Sequence, residues 1–569
     1  MKAKPSKCVS TGMRQFDKRI KKHSFAPVHD LTYSPFDPKL EIAGKPIKYM
    51  YDPNHEEGSF KGTHFKFVGR QIHYFLREGA IKKKGADRFQ SDLQKINDTK
   101  ITGFAKAWLY QFYALSRALT WLFLVHDLDR SSALSLNATA TRRLKTWIGI
   151  YTTAESGILY RSKQNAGLGL TPVTDHFERM QIVKCQILKH SVCDDIRAIY
   201  EAKAKKESQQ GRKWRYTQAN SEAQAAADLH IMFPRQNGRQ GLGNGNFKAS
   251  LNAAERRKLT SSIALQINEE ERVSKSHGLN RQGAWTKWIE HSFPFDLSWR
   301  NLLYGIDEKV IKFVLHSSIN WIKTPDLLHL WSKIKSARCS LCEHKTCSIH
   351  HIIANCKFAL NDKRYTWRHD SVLLTMDRFL RPHIEEHNTS NVAQKIPKIR
   401  ESFVRPGQKA PKKLSCCHKS ALDGASDWKI LTDFEHDKLV FPPEILSTNL
   451  RPDMIIWSVS LKRVILLELT CPAEENFAYA SARKLDRYDE LLELIRRAGW
   501  DPSLYPFEVG ARGFVASSVF KCISVLGLKP AAKKHLIKAL GSVVARCSYT
   551  IYLSKDSRSW DRNRKLLCD

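Results

Sequence analysis

The sequence predicts a multidomain α+β chain, on three observations. Apolar residues change period along it, from short alternating runs to long helical patterns and finally to strands alternating with helices. A dense cluster of cysteine and histidine separates the helical part from the last part. The chain also has 569 residues, 42% of them apolar, which suffices for three or four buried cores.

In chain order, residues 1–75 read as short strands and turns, with runs at 47–51 and 65–72 separated by the turn-rich DPNHEEGSFKG. Amphipathic helical patterns follow over 87–98, 101–127, 130–150 and 175–206. Residues 205–246, with KKESQQGRKWRYTQ and NGRQGLGNGN, form a basic connector with a Gly-rich break. Helical patterns resume over 251–335 and end at the Cys/His cluster. A second basic connector spans 396–420, and from Trp428 the pattern becomes α/β. No internal repeat is evident.

The chain carries 93 Lys plus Arg against 57 Asp plus Glu, a formal charge of +36. Both signs recur throughout, so the basicity is laid over folded sequence. Such a surface favours polyanions, and nucleic acid is the leading partner because neutralising phosphates releases counterions. Basic structural proteins that bind RNA share this property, so charge alone identifies no enzyme. The start, MKAKPSKCVSTGM, has no apolar run behind it, and the longest apolar stretch, around 118–125, is too short to span a bilayer. Thirteen cysteines, an odd number partly clustered with histidine, point to reduced thiols, metal and an intracellular protein.

Within CSLCEHKTCSIHHIIANC, Cys339 and Cys342 form a knuckle, and His351 and Cys356 follow on what reads as a short helix. Two thiolates on a tight turn with an imidazole and a thiolate beyond it can close a tetrahedral zinc site of structural type. His350 and Cys347 compete as ligands. His351 is preferred because its separation from Cys356 is nearer one helical turn.

In RPDMIIWSVSLKRVILLELTCP, Asp453 starts one apolar strand and Glu468 lies near the end of the next. A reversal near Ser460 and Leu461 sets them opposite each other, with Cβ atoms about 5 Å apart. Both carboxylates then suit one magnesium or manganese ion. Residues 474–498 read as a helix with Lys484 and Tyr488 one turn apart on one face. A lysine there orients water or offsets phosphate charge, so the chemistry indicated is metal-dependent phosphodiester hydrolysis. A surface hairpin with solvated acids is the plainer alternative, and Glu444 is either a third ligand or an ordinary acid at a helix start.

The motifs KPSKCVS, FKFVGRQI, AWLYQFYALSRALTWLFLVHDL, QGAWTKW, the Cys-Cys-His-Cys knuckle, RYTWRHDSVL, RPDMIIWS, LLELTCP, ARKLDRY and FEVGARGF occur in one order. In that order the chain resembles the carboxy-terminal half of non-LTR retrotransposon polyproteins, those carrying a reverse transcriptase and a restriction-enzyme-like endonuclease. The resemblance implies a reverse transcriptase palm edge over 1–78 and a helical thumb over 79–206. A basic helical linker over 207–335, a zinc knuckle over 336–360 and an α/β endonuclease domain over 361–569 then follow. It implies Cys339, Cys342, His351 and Cys356 as zinc ligands and Asp453 and Glu468 as endonuclease metal ligands, with Lys484 and Tyr488 completing the site.

Arg368, His369 and Asp370 match a family motif and either bind nucleic-acid phosphate or cap and pack a helix. Restriction-type nucleases often carry a lysine where this chain has Thr470, so catalysis relies on Lys484 reaching in from the helix. The palm's paired aspartates are expected upstream of Lys4, and Asp194 and Asp195 read as a solvated helix face, so no DNA synthesis is expected of this chain. The implied partners are target DNA and element RNA, the compartment is the nucleus, and no membrane is involved. Trp214, Trp285 and Trp288 either stack on unpaired bases or pack between helices. A nucleic-acid-binding remnant without catalysis is the alternative function.

Overall fold

A computed structural model describes backbone strands within residues 9–73, then residues 79–209 apart from 127 and 129, 253–389, 420–434 and 440–560. Both basic connectors fall largely outside the described residues, as do Trp214, Cys416, Cys417 and most of KPSKCVS. The fold is mixed α+β. No helix among the described residues is long and apolar enough to cross a membrane.

Two compact units form, the first from residues 1–100, 109–140 and 173–218, the second from 101–108, 141–172 and 219–569. The first unit holds paired short strands, including the hairpin of β1 (His64–Phe67) and β2 (Arg70–His73) within FKFVGRQI. Its helices include α1 (Gly79–Asp98), the π-helix Tyr110–Leu119, α2 (Thr120–Val125), α3 (Val173–Lys189) and α4 (Asp194–Gln209). The single helix expected over 175–206 is thus two helices. Asp194 and Asp195 stand exposed in the first turn of α4, where acids favour the positive helix end.

The second unit takes in linker, knuckle and α/β segments together. Helix α5 (Ala253–His277) leads to Trp285 and Trp288, both buried. Trp285 lies under the guanidinium of Arg161 at 4.3 Å, and Trp288 packs edge-on against Phe514 at 4.8 Å. Both therefore take the packing role. Strand β3 (Ser292–Phe293) and helix α6 (Glu308–Ser318) complete this part.

The rest is a three-layer arrangement. The sheet order is β4 (Lys429–Thr432), β5 (Met454–Ser458), β6 (Arg463–Thr470) and β7 (Asp501–Glu508), antiparallel except for the parallel pair β6–β7. Around it stand helices α7 (Arg364–Thr389), α8 (Phe477–Arg497), α9 (Ser517–Val525) and α10 (Pro530–Leu553). One face packs on α7, α9 and α10 through Met454, Ile456, Ile465, Leu467 and Leu469. The other packs on α8, which crosses from β6 to β7, through Ile455, Trp457, Val464 and Leu466. Helices on both faces explain why VILLEL is apolar without alternation.

Strand β7 is an edge, and its prolines fit that place. Asp501 and Val509 donate their N–H groups to Lys462 and Thr470 at 2.8 and 3.0 Å, so the N–H positions of Pro502 and Pro506 face away from the ladder. After β7 the chain turns at GARG and enters β8 (Val515–Ala516), which pairs with β3. Gly513 has φ +101°, and a Cβ on Gly510 would collide with Glu474 Oε1.

That turn presents Arg512, fully buried, to Glu474 at 2.6 Å and Glu475 at 3.0 Å, while its guanidinium also donates to Ser317 O and Asn320 Oδ1, both at 3.0 Å. The cluster ties linker helix α6 to the sheet domain. Arg512→Ala is expected to destabilise this unit by about 3–5 kcal/mol, because the buried Glu474 carboxylate loses the guanidinium that compensates it and Glu475 loses its ion pair. Denaturant melts check this; a loss under about 1 kcal/mol would show the cluster to be dispensable.

Candidate functional site

The knuckle begins on a turn in which Glu343 takes φ +59° and its N–H bonds Cys339 O at 2.9 Å, bringing Cys339 and Cys342 together. The segment His351–Asn355 is a π-helix. Its i→i+5 turn returns position 356 toward position 351, so the five-residue spacing closes where an α-turn would not. The ligand atoms of Cys339, Cys342, His351 and Cys356 all lie within 4.8 Å of one another, with Cys342 Sγ 3.3 Å from His351 Nε2. This Cys3His cluster could hold a metal ion and is compatible with structural zinc.

Burial and the neighbouring His344 and His350 hold the His351 pKa down to about 4, so it presents a neutral imidazole. Burial raises the Cys342 thiol, but bonds with the His344 backbone, Cys356 and Cys339 lower it further, giving a net downward shift. The competing residues lie outside the cluster. Cys347 is buried beside Cys339, which with burial pushes its thiol up, and His350 instead bonds Asn355 at 3.0 Å.

Asp453 and Glu468 stand at the opposite end of the sheet from the β5–β6 turn. The register Met454 to Leu467 sets them directly opposed, as the hairpin reading expected. Asp453 N–H donates to Glu468 Oε2 at 3.0 Å, and Leu469 N–H donates to Asp453 Oδ2 at 2.6 Å. Lys484, on α8, touches Glu468 Oε1 directly and stands 3.9 Å from Asp453 Oδ2. One ammonium meets both carboxylates, so both are within reach of one cation. Tyr488, a turn further on, is buried and donates to Arg451 O at 3.1 Å, fixing the approach to Asp453. Burial, then the Glu468 charge, push its phenol pKa well up, so it stays a proton donor.

The Arg368, His369 and Asp370 run divides. Arg368 is buried, and its guanidinium donates to Ile353 O at 2.7 Å, Ser548 Oγ at 2.9 Å and Cys471 O at 2.9 Å. That is the packing role, and it joins the knuckle to the end of β6. His369 enters the carboxylate site, a placement sequence reasoning missed: its Nε2 is 3.4 Å from Asp453 Oδ2 and its Nδ1 3.4 Å from Asp370 Oδ1. No local pattern could have shown it, because a long stretch of chain separates the end of α7 at Thr389 from the start of β5 at Met454. Glu444 lies at the other end of β5, bonded to Trp457 Nε1 at 2.8 Å and Lys429 at 3.2 Å, so it is not a third ligand.

Burial raises the Asp453 pKa, but bonding and charge from His369 and the charge of Lys484 outweigh it, so Asp453 is shifted down. Burial and the Asp453 charge push Glu468 up against Lys484. Burial opposes the His369 charge, but Asp370 and Asp453 raise its pKa to about 9. His369 therefore stabilises the fold fully below about pH 6.5 and loses that contribution as pH rises through about 9. Melts in magnesium-free buffer should show His369→Gln less stable than the parent at pH 6 and approaching it by pH 10. A pH-independent difference would contradict the pairing.

No protein-family model matches the chain, and no curated protein matches it.

Proposed function

We propose that the chain is a retrotransposon-derived, metal-dependent DNA endonuclease that nicks target DNA in the nucleus to prime reverse transcription of element RNA. The observation that carries this reading is the opposed pair Asp453 and Glu468 with Lys484 at both carboxylates. Two buried acids at this spacing suit magnesium or manganese, which when bound would supply Lewis-acid chemistry and a lowered pKa for an attacking water. Lys484, on a flexible stem, reaches the carboxylates or a phosphate in front of them. Tyr488 positions the strand entering Asp453, and His369 holds Asp453 ionised.

Zinc in the Cys3His cluster would be structural, since four protein ligands leave no open position. The formal charge of +36 supports DNA and RNA as partners through phosphate contacts. Polymerase activity is not proposed for these residues.

One observation favours a second reading. Lys484 and His369 already compensate Glu468 and Asp453, so the acids do not require a metal, and a non-catalytic nucleic-acid-binding protein would carry the same site. Supercoiled plasmid with magnesium separates the two. Open circles are expected; intact plasmid with retained DNA binding would leave binding as the function.

A further inference from the structure

Glu508 closes β7 and is 2% exposed. Among the described residues no cation forms an ion pair with it; its polar neighbours are the hydroxyls of Ser518 and Ser481. Ser518 Oγ accepts from Glu508 N–H at 3.2 Å and donates to Oε2 at 2.5 Å, which fixes the carboxylate. Oε1 is left buried with no hydrogen-bond partner. Directly across the parallel ladder stands Thr470, whose Oγ1 is also buried and without a partner.

Because strand side chains alternate, Thr470 and Glu508 share the sheet face of Glu468. Strands lie about 4.8 Å apart and two residues advance about 6.6 Å, so Glu508 is about 8 Å diagonally from Glu468. Acids that far apart can bracket two ions separated by about 3.5–4 Å. Two buried hard oxygens without hydrogen-bond partners, on residues paired directly across the ladder, match the donor preference of magnesium and manganese.

We propose that Glu508 and Thr470 form a second divalent-cation subsite beside the Asp453 and Glu468 pair. The subsite deepens the endonuclease reading and rests on it for its use, while its binding of metal is tested separately. Manganese titrations of the full, zinc-loaded chain, followed by the electron paramagnetic resonance signal of free Mn2+, are expected to give two bound ions. Glu508→Gln is expected to bind one, and Thr470→Val to weaken the second about tenfold. The double variant Asp453→Asn, Glu468→Gln should keep the Glu508 ion.

Parent-like titrations of Glu508→Gln and Thr470→Val would overturn the subsite, leaving the niche to a bound water. Should Glu508→Gln fail to fold, the near-isosteric Thr470→Val decides. A parent that binds two ions but never nicks DNA upholds the subsite and removes the endonuclease. A parent that nicks while both variants bind as it does removes only the subsite.

Discussion

Asp453→Asn and Glu468→Gln are each expected to reduce plasmid nicking roughly a thousandfold or more, equivalent to about 4 kcal/mol of transition-state stabilisation. Both changes remove charge and keep shape. The amide introduced at position 453 would still offer an oxygen to Leu469 N–H, and the one at position 468 would still accept from the backbone N–H of residue 453, so the hairpin is preserved. Loss of activity with an unchanged melt therefore reports chemistry rather than folding. Lys484→Ala should act in the same direction, because Lys484 meets both acids. If either amide variant nicks as well as the parent, the carboxylate pair is not the nuclease centre.

Cys339→Ser is expected to abolish bound zinc and to lower the melting temperature of the second unit by about 10 °C, corresponding to about 4 kcal/mol. The effect spreads because the knuckle is built into the domain. Tyr365 Oη accepts from Cys356 N–H at 3.0 Å and donates to Ile352 O at 2.8 Å, and Arg368 carries the contact on to the end of β6. Cys347→Ser and His350→Ala should retain the metal, since neither residue lies in the cluster. Metal analysis of the three variants checks this; retention of zinc by Cys339→Ser, or its loss from both controls, would contradict the ligand set.

Local features were legible where chemistry and spacing coincide within a few residues. The knuckle needs only a short window, and the opposed acids follow from one hairpin whose strands and turn are contiguous. Even there the geometry differed in kind, because the return from His351 to Cys356 is a π-turn rather than an α-turn. Glu444 looked like a neighbour of Asp453 in sequence, yet the strand carries the two to opposite ends, roughly 13 Å apart along β5.

The mixed α+β class, the four residues of the candidate metal cluster and the pairing of Asp453 with Glu468 were all legible along the chain. Each depends on periodicity or on ligands close along the chain. Packing in three dimensions was needed to place the helices of residues 253–330, the Cys3His cluster and the sheet in one unit, to bury Arg368 and Arg512 as ties, and to bring His369 and Glu508 beside the acids. The contacts of His369 with Asp453, Arg368 with Cys471 and Arg512 with Ser317 join residues from more than eighty to nearly two hundred positions apart. They are set by which helix covers which sheet face, and a buried arginine or a carboxylate at a strand end reads along the chain like any surface charge.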